Sequence, residues 1–277
     1  MMSKMNVGFI GLGKLGLPCA LAINNKGHQV WGYDINPQVK EILDTKVLPY
    51  REEGSPELLQ THTINFGSVQ EVVNNSEIIF VPIQTPHDYK YEGCTRIPQE
   101  RDDFNYAYLK SGIQALSNAI ANQSENKVVI IISTVLPGTI EREIKPIIKD
   151  NPNFKLCYNP FFIAMGTTIK DFLNPEFILL GVDDEDAANK VISFYSNIHN
   201  KRVFKTTVKN AELIKEIKNI DRNVERIATK SIGDLGTGGM KTKIDAAKIC
   251  QLSGCKMVIA NGLLNRPIKK IIEENNC

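Results

Sequence analysis

The sequence predicts an α/β fold, a doubly wound parallel sheet with helices on both faces and a short α/β appendage at the C-terminus. Three observations indicate this. Short apolar runs typical of buried strands alternate with amphipathic, helix-like segments along most of the chain. A glycine-rich turn joins the first apolar run to the first helix-like segment. From about residue 220 the alternation gives way to a segment of different character.

The predicted elements follow the order expected for repeated strand–helix units. The strand-like runs are MNVGFI at 5–10, QVWGYD at 29–34, EIIFVPI at 77–83, KVVIIIST at 127–134, FKLCYNP at 154–160 and EFILLG at 176–181. The helix-like segments are 15–28, 102–123, 139–150, which we expect to bend or end near Pro146, and 184–198. Ligands of such sheets bind beyond the carboxyl ends of the strands, so the loops after Ile83, Ile132 and Tyr158 should line the site.

The turn after the first strand has the spacing of a dinucleotide-binding, Rossmann-type fingerprint. Gly11 permits a tight turn, Gly13 lets a pyrophosphate approach the backbone, and Gly16 lets the helix lie close to the strand. Asp34 at the end of the next strand would accept hydrogen bonds from an adenosine ribose and repel a 2′-phosphate, which favours NAD over NADP. The alternative is a glycine-rich turn that binds nothing, although the strand, helix and acid that the motif requires are all present.

Two further loops carry hydroxyl groups at the same predicted edge of the sheet. VPIQTPHD, at 81–88, contains Thr85, and STVLPGT, at 133–139, contains Thr134. A threonine hydroxyl here could bond a cofactor phosphate or ribose. Hydroxyls at strand ends also commonly cap helices, so each loop alone permits either interpretation. Their coincidence at one edge favours ligand binding.

Length and composition exclude several classes of protein. The chain has 277 residues, enough for one large domain or two smaller ones. Its 42% hydrophobic and 23% charged residues are typical of a soluble globular protein, and its net charge of +2 indicates no nucleic-acid or membrane partner. No apolar run reaches the length of a membrane span, and the first strand begins too early for a signal peptide. The 6 cysteines lack a CxxC pair and the 4 histidines are scattered, so we predict a cytoplasmic protein without metal.

Together these motifs resemble the N-terminal half of the UDP-glucose/GDP-mannose dehydrogenases, the nucleotide-sugar 6-dehydrogenases. The resemblance runs from about residue 5 to residue 219. It is carried by GFIGLGKLGLPCA, GYDINP, VPIQTPHD, STVLPGT, YNPFFIAMGTTIKDFLNPEFILLG and AELIKEIKN. That family oxidises a sugar C6 alcohol to a carboxylate through an aldehyde, using NAD⁺ twice. The resemblance therefore implies an oxidoreductase with NAD as cofactor, a nucleotide sugar such as UDP-glucose as substrate, and a homodimer.

Specific site residues follow from the same resemblance. The implied NAD-binding residues are Gly11, Gly13, Lys14, Leu15, Gly16, Asp34, Thr85, Pro86 and Thr134. Thr134 is also implied in catalysis, because the matching threonine helps to hold the hydrolytic water. Lys215 matches a lysine whose charge stabilises a developing oxyanion, and Asn219, one helical turn further on, matches its partner. Outside this motif, Lys215 would be read as an ordinary solvated helix lysine.

The sequence also departs from the family pattern. Many members carry two carboxylates in Y-N-P-E-F-x-x-E-G, where this chain has Phe161 and Met165, which transfer no protons. The G-F-G-G-S-C-F-P-K-D stretch that holds the family's thiol nucleophile is not found; Cys250 and Cys255 lie in an apolar helix–strand pattern instead. The family's sugar-nucleotide-binding domain is not found either. We therefore expect incomplete oxidation by this chain alone, or alternatively an NAD-binding module without turnover.

The segment GTGGMKTKIDAAKICQLSGCKMVIANG, at 236–262, is similar to the end of the glutamate 5-kinase domain, in the amino-acid kinase family. There the glycine-rich loop, here Gly236–Met240, borders ATP, and Lys243 matches a lysine that contacts the transferring phosphate. ATP binding by this tail is thus another functional alternative, and a helix-entry loop that binds nothing is the structural one. We predict two domains, residues 1–219 and 220–277, in a chain that is a natural fusion, a deletion product or an assembly artefact.

Overall fold

The fold was determined from a computed structural model, in which residues 4–88 and 102–217 are described. The chain divides into two units, 1–215 and 216–277, and all described residues but 216 and 217 lie in the first. Several sequence predictions lie outside the described residues: the domain boundary at residue 219, the role of Asn219, and the tail at 236–262 with its glycine loop, Lys243, Cys250 and Cys255.

The strands of the described residues form one sheet. They are β1 (Asn6–Ile10), β2 (Gln29–Tyr33), β3 (Asn65–Phe66), β4 (Ile78–Val81), β5 (Lys127–Ile131), β6 (Phe154–Tyr158), β7 (Ile178–Val182) and β8 (Val203–Thr206). Their spatial order is β3-β2-β1-β4-β5-β6-β7-β8. The central strands β4 and β5 are buried along their whole length, because helices cover both faces of the sheet. This is why residues 78–81 and 128–131 are continuous apolar runs and not alternating ones.

Helices connect the strands on both faces. They are α1 (Gly16–Asn25), α2 (Pro37–Thr45), α3 (Ser55–Thr61), α4 (Val69–Asn74), α5 (Ala107–Ala121), a π-helical turn (Ile140–Ile144) that continues as α6 (Lys145–Ile148), α7 (Thr168–Leu173), α8 (Glu185–Ile198) and α9 (Val208–Ile217). Buried side chains of α1, α3, α7 and α8 form the core of one face. Those of α4, α5, the π-helical turn and α9 form the core of the other.

The predicted α/β class is confirmed, with one difference in strand direction. The sheet is parallel from β3 to β6, but β7 runs antiparallel to β6, with Tyr158 opposite Gly181. β8 is again parallel to β7. The segment between β6 and β7 stays at the edge of the sheet where β6 ends, so the chain re-enters the sheet from that edge. A connection of this kind gives antiparallel neighbours, whereas a crossover to the opposite edge gives parallel ones.

The predicted break near Pro146 corresponds to a change of helix type. The π-helical turn ends at Ile144, and the short helix α6 begins at Lys145, immediately before the proline. Proline lacks a backbone N–H and its ring crowds the preceding turn, so Pro146 is accommodated in the first turn of a new α-helical segment and not inside a continuous helix. The predicted helix over 102–123 is shorter than expected, because it begins only at Ala107 and ends at Ala121.

Candidate functional site

The glycine-rich turn between β1 and α1 leaves its backbone open to a ligand. Gly11 has a φ of +111°, which side chains rarely tolerate, and its N–H donates to the carbonyl of Tyr33 at 2.8 Å. A Cβ on Gly16 would lie 2.2 Å from the carbonyl oxygen of Gly11, so only glycine lets α1 begin this close to the strand. Gly13 is exposed, and a Cβ there would have no atom within 4 Å. The three glycines therefore have the geometry that their spacing predicts.

The N-terminus of α1 is not capped by a side chain. Leu15 precedes the helix, and its first turn contains no acidic residue. Asn36, Ser68 and Asp184 cap α2, α4 and α8 with side-chain oxygens, whereas α3, α5 and α7 lack such a cap, as α1 does. Because a helix N-terminus carries unpaired N–H groups and partial positive charge, α1 offers these to an external anion. The diphosphate of a dinucleotide is an anion of this kind.

Asp34 faces the glycine-rich turn from the end of β2. Its Oδ2 accepts a hydrogen bond from the N–H of Leu12 at 2.7 Å, and its Oδ1 accepts one from the N–H of Asn36 at 2.8 Å. Each carboxylate oxygen keeps a second lone pair, and the side chain is only half-buried. The Leu12 side chain turns into the core. Asp34 thus shapes the turn and still offers acceptors for ribose hydroxyls, so these residues fit NAD.

The loops after β4 and β5 meet at the same edge of the sheet. The hydroxyl of Thr85 donates to the backbone carbonyl of Thr134 at 2.6 Å. The buried hydroxyl of Ser133 donates to the carbonyl of Ile83, also at 2.6 Å. These bonds join the two loops, and the Thr134 side chain is exposed at the edge. The two threonines that the sequence singled out are therefore neighbours, and their contact with a cofactor stays a prediction.

The other predicted cofactor residues flank these loops. Lys14 is exposed, and its ammonium lies 5.9 Å from the ring centroid of Tyr50. Leu15 is half-buried and packs against the core of the α1 face. Pro86 is half-buried, and its carbonyl accepts a hydrogen bond from the N–H of Asn105 at 2.7 Å, which ties its loop to the segment before α5.

A buried glutamate that the sequence analysis missed joins α9 to the loop after β5. Glu212 is 1% exposed, and its carboxylate accepts hydrogen bonds from the N–H groups of Gly138 and Ile140, both at 2.8 Å. Burial raises the pKa of this carboxyl, and the two hydrogen bonds oppose the rise. The contact holds α9, the helix that includes Lys215, against the loop that begins near Thr134. The only sequence signal was an acid among apolar residues in AELIK.

The two positions that hold carboxylates in many relatives behave differently here. The ring of Phe161 lies 6.5 Å from that of Phe80 and 5.7 Å from that of Phe172, so it contributes to the core. The side chain of Met165 is 64% exposed. It lines a recess of about 500 Å³ together with residues 50–54. Neither side chain carries a proton to transfer, as the sequence indicated.

Burial disfavours a nucleophilic role for the two thiols of the described residues. Cys19 and Cys157 are free and buried. Burial raises the pKa of both thiols, that of Cys157 to about 12, so neither forms a thiolate near neutral pH. Among residues 4–88 and 102–217, no cluster of three or more potential metal ligands occurs, and no helix is long and apolar enough to cross a membrane.

Comparison with family models decides which group of proteins this site represents. Residues 5–199 match the NAD-binding domain of the UDP-glucose/GDP-mannose dehydrogenase family. The chain belongs to this family. The resemblance seen in the motifs is thereby confirmed, and NAD is the cofactor of the domain.

Individual relatives agree with this assignment. GDP-mannose 6-dehydrogenase of Pseudomonas aeruginosa is 26% identical over 245 residues, which cover 83% of this chain and 53% of that enzyme. A crystal structure of a ternary complex of GDP-mannose dehydrogenase from the same organism superposes with a TM-score of 0.69 at 25% identity, covering 89% of this chain and 57% of that one. The chain thus spans about half the length of the dehydrogenases it matches.

A second similarity concerns another enzyme class. Glutamate 5-kinase of Pelagibacter ubique is 73% identical over 79 residues, which cover 28% of this chain and 20% of that kinase. The resemblance of the tail to glutamate 5-kinases is therefore also confirmed. The chain combines a dehydrogenase-family domain with a short kinase-like segment.

Proposed function

We propose that this chain oxidises the C6 hydroxymethyl group of a nucleotide sugar, of the UDP-glucose or GDP-mannose type, with NAD as hydride acceptor. One observation carries the proposal. The glycine-rich turn with Asp34, the joined Thr85 and Thr134 loops, and the helix α9 fixed by Glu212 meet at the carboxyl edge of the parallel strands. Ligands of doubly wound sheets bind at this edge.

Each part of the site has a defined task in this proposal. The uncapped N-terminus of α1 and the open backbone at Gly13 hold the cofactor diphosphate, and Asp34 accepts hydrogen bonds from the adenosine ribose. NAD, when bound, supplies the hydride acceptor. The Thr134 loop lines the reaction centre, and the ammonium of Lys215 stabilises negative charge that develops on the C6 oxygen as its proton leaves to water and the hydride leaves C6 for NAD.

We further propose that oxidation by this chain stops at the aldehyde. Conversion of the aldehyde to a carboxylate in this family uses a thiol that forms a thiohemiacetal and then a thioester. Both thiols among the described residues are buried and protonated near neutral pH. Residues Phe161 and Met165 also replace the two carboxylates used by many relatives in proton transfer.

The test measures NADH formation by the full chain with UDP-glucose and with GDP-mannose, and identifies the sugar product by mass spectrometry. We expect NADH and a nucleotide-sugar aldehyde, with Lys215→Ala abolishing turnover while the Kd for NAD stays unchanged. NAD binding without NADH formation on either sugar nucleotide would instead favour a binding module without turnover. A carboxylate product would refute the single-step proposal.

The kinase-like segment suggests a second reaction to measure, the ATP-dependent phosphorylation of glutamate. Its similarity covers one fifth of glutamate 5-kinase, and phosphoryl transfer requires donor, acceptor and metal to be held in line by a whole site. We therefore expect no ATP-dependent phosphorylation of glutamate by the chain. Detectable γ-glutamyl phosphate would favour a kinase function over the dehydrogenase function.

A further inference from the structure

Glu52 is a buried carboxylate in the segment between α2 and α3. It is 3% exposed, and both of its oxygens are occupied. Oε1 accepts a hydrogen bond from the N–H of Thr168 at 2.6 Å, and Oε2 accepts from the N–H of Gly166 at 2.9 Å and the hydroxyl of Thr168 at 3.1 Å. The N–H of neighbouring Glu53 donates to the carbonyl of Gly166 at 3.0 Å. Four hydrogen bonds thus join two distant parts of the chain.

The partners of this segment are Gly166, near the end of the loop Asn159–Thr167 that connects β6 to α7, and Thr168, the first residue of α7. The start of the loop is held as well, because the N–H of Asn159 donates to the carbonyl of Ile131 at 2.9 Å and its side-chain amide donates to that of Leu179 at 2.8 Å. Between the two anchors, Met165 is exposed. Glu52 therefore fixes the end of this loop from across the recess, while Asp171 on α7 holds it locally by accepting from the N–H of Ala164 at 3.0 Å.

The segment that carries Glu52 also contacts the glycine-rich turn. The Lys14 ammonium lies over the ring of Tyr50, a cation–π contact. Residues 50–54 and 165–167 both line the recess of about 500 Å³, and a recess of about 410 Å³ that shares residues 50–52, 165 and 166 with it is also lined by Lys14. The loop after β6 is thus one wall of a space that begins at the cofactor-binding turn.

We propose that Glu52 is a positioning residue that fixes the Asn159–Thr167 loop as a wall of the sugar-nucleotide site. The proposal rests on the proposed function, since it assumes that a nucleotide sugar occupies the space beside the turn. Hydrogen bonds to a buried carboxylate are short and strong, so they hold the loop in one position. Because Glu52 acts through Gly166 and Thr168 and not through the glycine-rich turn, its loss affects the sugar nucleotide more than NAD.

The test compares full-length Glu52→Gln, Thr168→Val and Glu41→Gln with the wild type. The first variant places an amide where only acceptors fit, and the second removes one hydroxyl donor and keeps the side-chain shape. The third is the control, because Glu41 is an exposed carboxylate on α2 that lines neither recess. Hydrogen–deuterium exchange is followed at the amides of Gly166 and Thr168. Calorimetry gives the Kd for NAD, UDP-glucose and GDP-mannose.

We expect Glu52→Gln to speed exchange at these amides and to weaken sugar-nucleotide binding, each by about tenfold or more, with the Kd for NAD within about twofold. Thr168→Val should show a smaller change in the same direction, and it decides the question alone if Glu52→Gln does not fold. Unchanged exchange, or an equal loss of NAD and sugar-nucleotide binding, would overturn the proposal. If the wild type binds neither sugar nucleotide, the proposed function fails, and the exchange rates still decide whether Glu52 fixes the loop.

Discussion

The carboxylate of Asp34 accepts a hydrogen bond from the backbone N–H of Leu12 at 2.7 Å, so the acid at the end of β2 is part of the glycine-rich turn after β1. Two sequence-distant pieces of the cofactor fingerprint thus form one structural unit. The same carboxylate is the group expected to bind the ribose, which makes it the most direct point at which to test cofactor binding.

Asp34→Ala should raise the Kd for NAD by about tenfold or more, because hydrogen bonds to a charged group contribute about 1.5–3 kcal/mol. Asp34→Asn should lose part of that affinity and narrow the preference for NAD over NADP, since the repulsion of a 2′-phosphate disappears. Calorimetric titration with both cofactors measures these effects. Asp44→Ala, which removes an exposed carboxylate paired with Lys40 on α2, is the matched control. Equal NAD affinity of Asp34→Ala and wild type would refute the ribose assignment.

The glycines of the turn allow a paired test of binding and folding. Gly13→Ala adds a methyl group into open space, so the free energy of unfolding should change by less than about 0.5 kcal/mol. The methyl group nevertheless lies on the exposed backbone that the diphosphate must approach, so NAD binding should weaken by about tenfold or more.

Gly16→Ala should mainly lower the stability of the protein, whereas Gly13→Ala should mainly weaken NAD binding. Its Cβ would meet the carbonyl oxygen of Gly11 at 2.2 Å, so the turn must open and the protein should lose about 2 kcal/mol or more of stability. Urea denaturation together with NAD titration separates the two variants. A Gly13→Ala protein that binds NAD normally would show that the diphosphate does not approach this backbone.

The parts of the molecule that sequence predicts well are those encoded by neighbouring residues. The turn with Gly11, Gly13 and Gly16 could be predicted because spacing, strand and helix all lie within one short stretch. Thr85 and Thr134 could be paired because parallel strands end at a common edge. In each case a local pattern and one rule of sheet architecture suffice.

Features that depend on distant contacts could not be predicted in this way. The reversal of β7 depends on where the chain re-enters the sheet, and the apolar run EFILLG gives no direction. β8 has half-exposed and exposed residues in VFKT and so lacks a strand-like apolar run. The two buried carboxylates, Glu52 and Glu212, have partners 114–116 and 72–74 residues away. A charged residue in an amphipathic stretch is usually solvated, so nothing local marks these two.

Acid should destabilise the protein through two histidines, the buried His28 and the half-buried His199. Burial lowers the pKa of His28, whose Nδ1 accepts a hydrogen bond from the N–H of Met5 at 3.2 Å, and burial likewise lowers the pKa of His199, which stacks on Tyr195. A lowered folded-state pKa means that the unfolded chain binds more protons. Their contribution to stability is therefore present above the ordinary histidine pKa of about 6.5 and lost as pH falls through the folded-state values.

Urea denaturation between about pH 5 and about pH 8 checks this dependence. The free energy of unfolding should decrease as pH falls below about 6.5, and His28→Gln should make the decrease shallower. Replacing His199 by Gln as well should make the decrease shallower again, and the remainder comes from carboxyl groups such as Asp184, whose pKa hydrogen bonds lower. If the free energy of unfolding of His28→Gln depends on pH as steeply as that of the wild type, the pKa of His28 is the same in the folded and unfolded states.

Glu212 should be important for both stability and turnover. Glu212→Ala leaves the N–H groups of Gly138 and Ile140 without their acceptor, and an unpaired buried donor costs about 1–3 kcal/mol, so the free energy of unfolding should fall by about 2 kcal/mol or more. Glu212→Gln keeps the shape and one acceptor, so its loss should be smaller. Because the contact holds α9 against the Thr134 loop, any NADH formation by the wild type should slow in Glu212→Gln even below its unfolding temperature. Glu141→Gln, which changes an exposed carboxylate paired with Lys145 on the π-helical turn, should leave both properties near wild type. If Glu212→Gln and Glu141→Gln have the same stability and the same rate of NADH formation, the buried contact does not position α9.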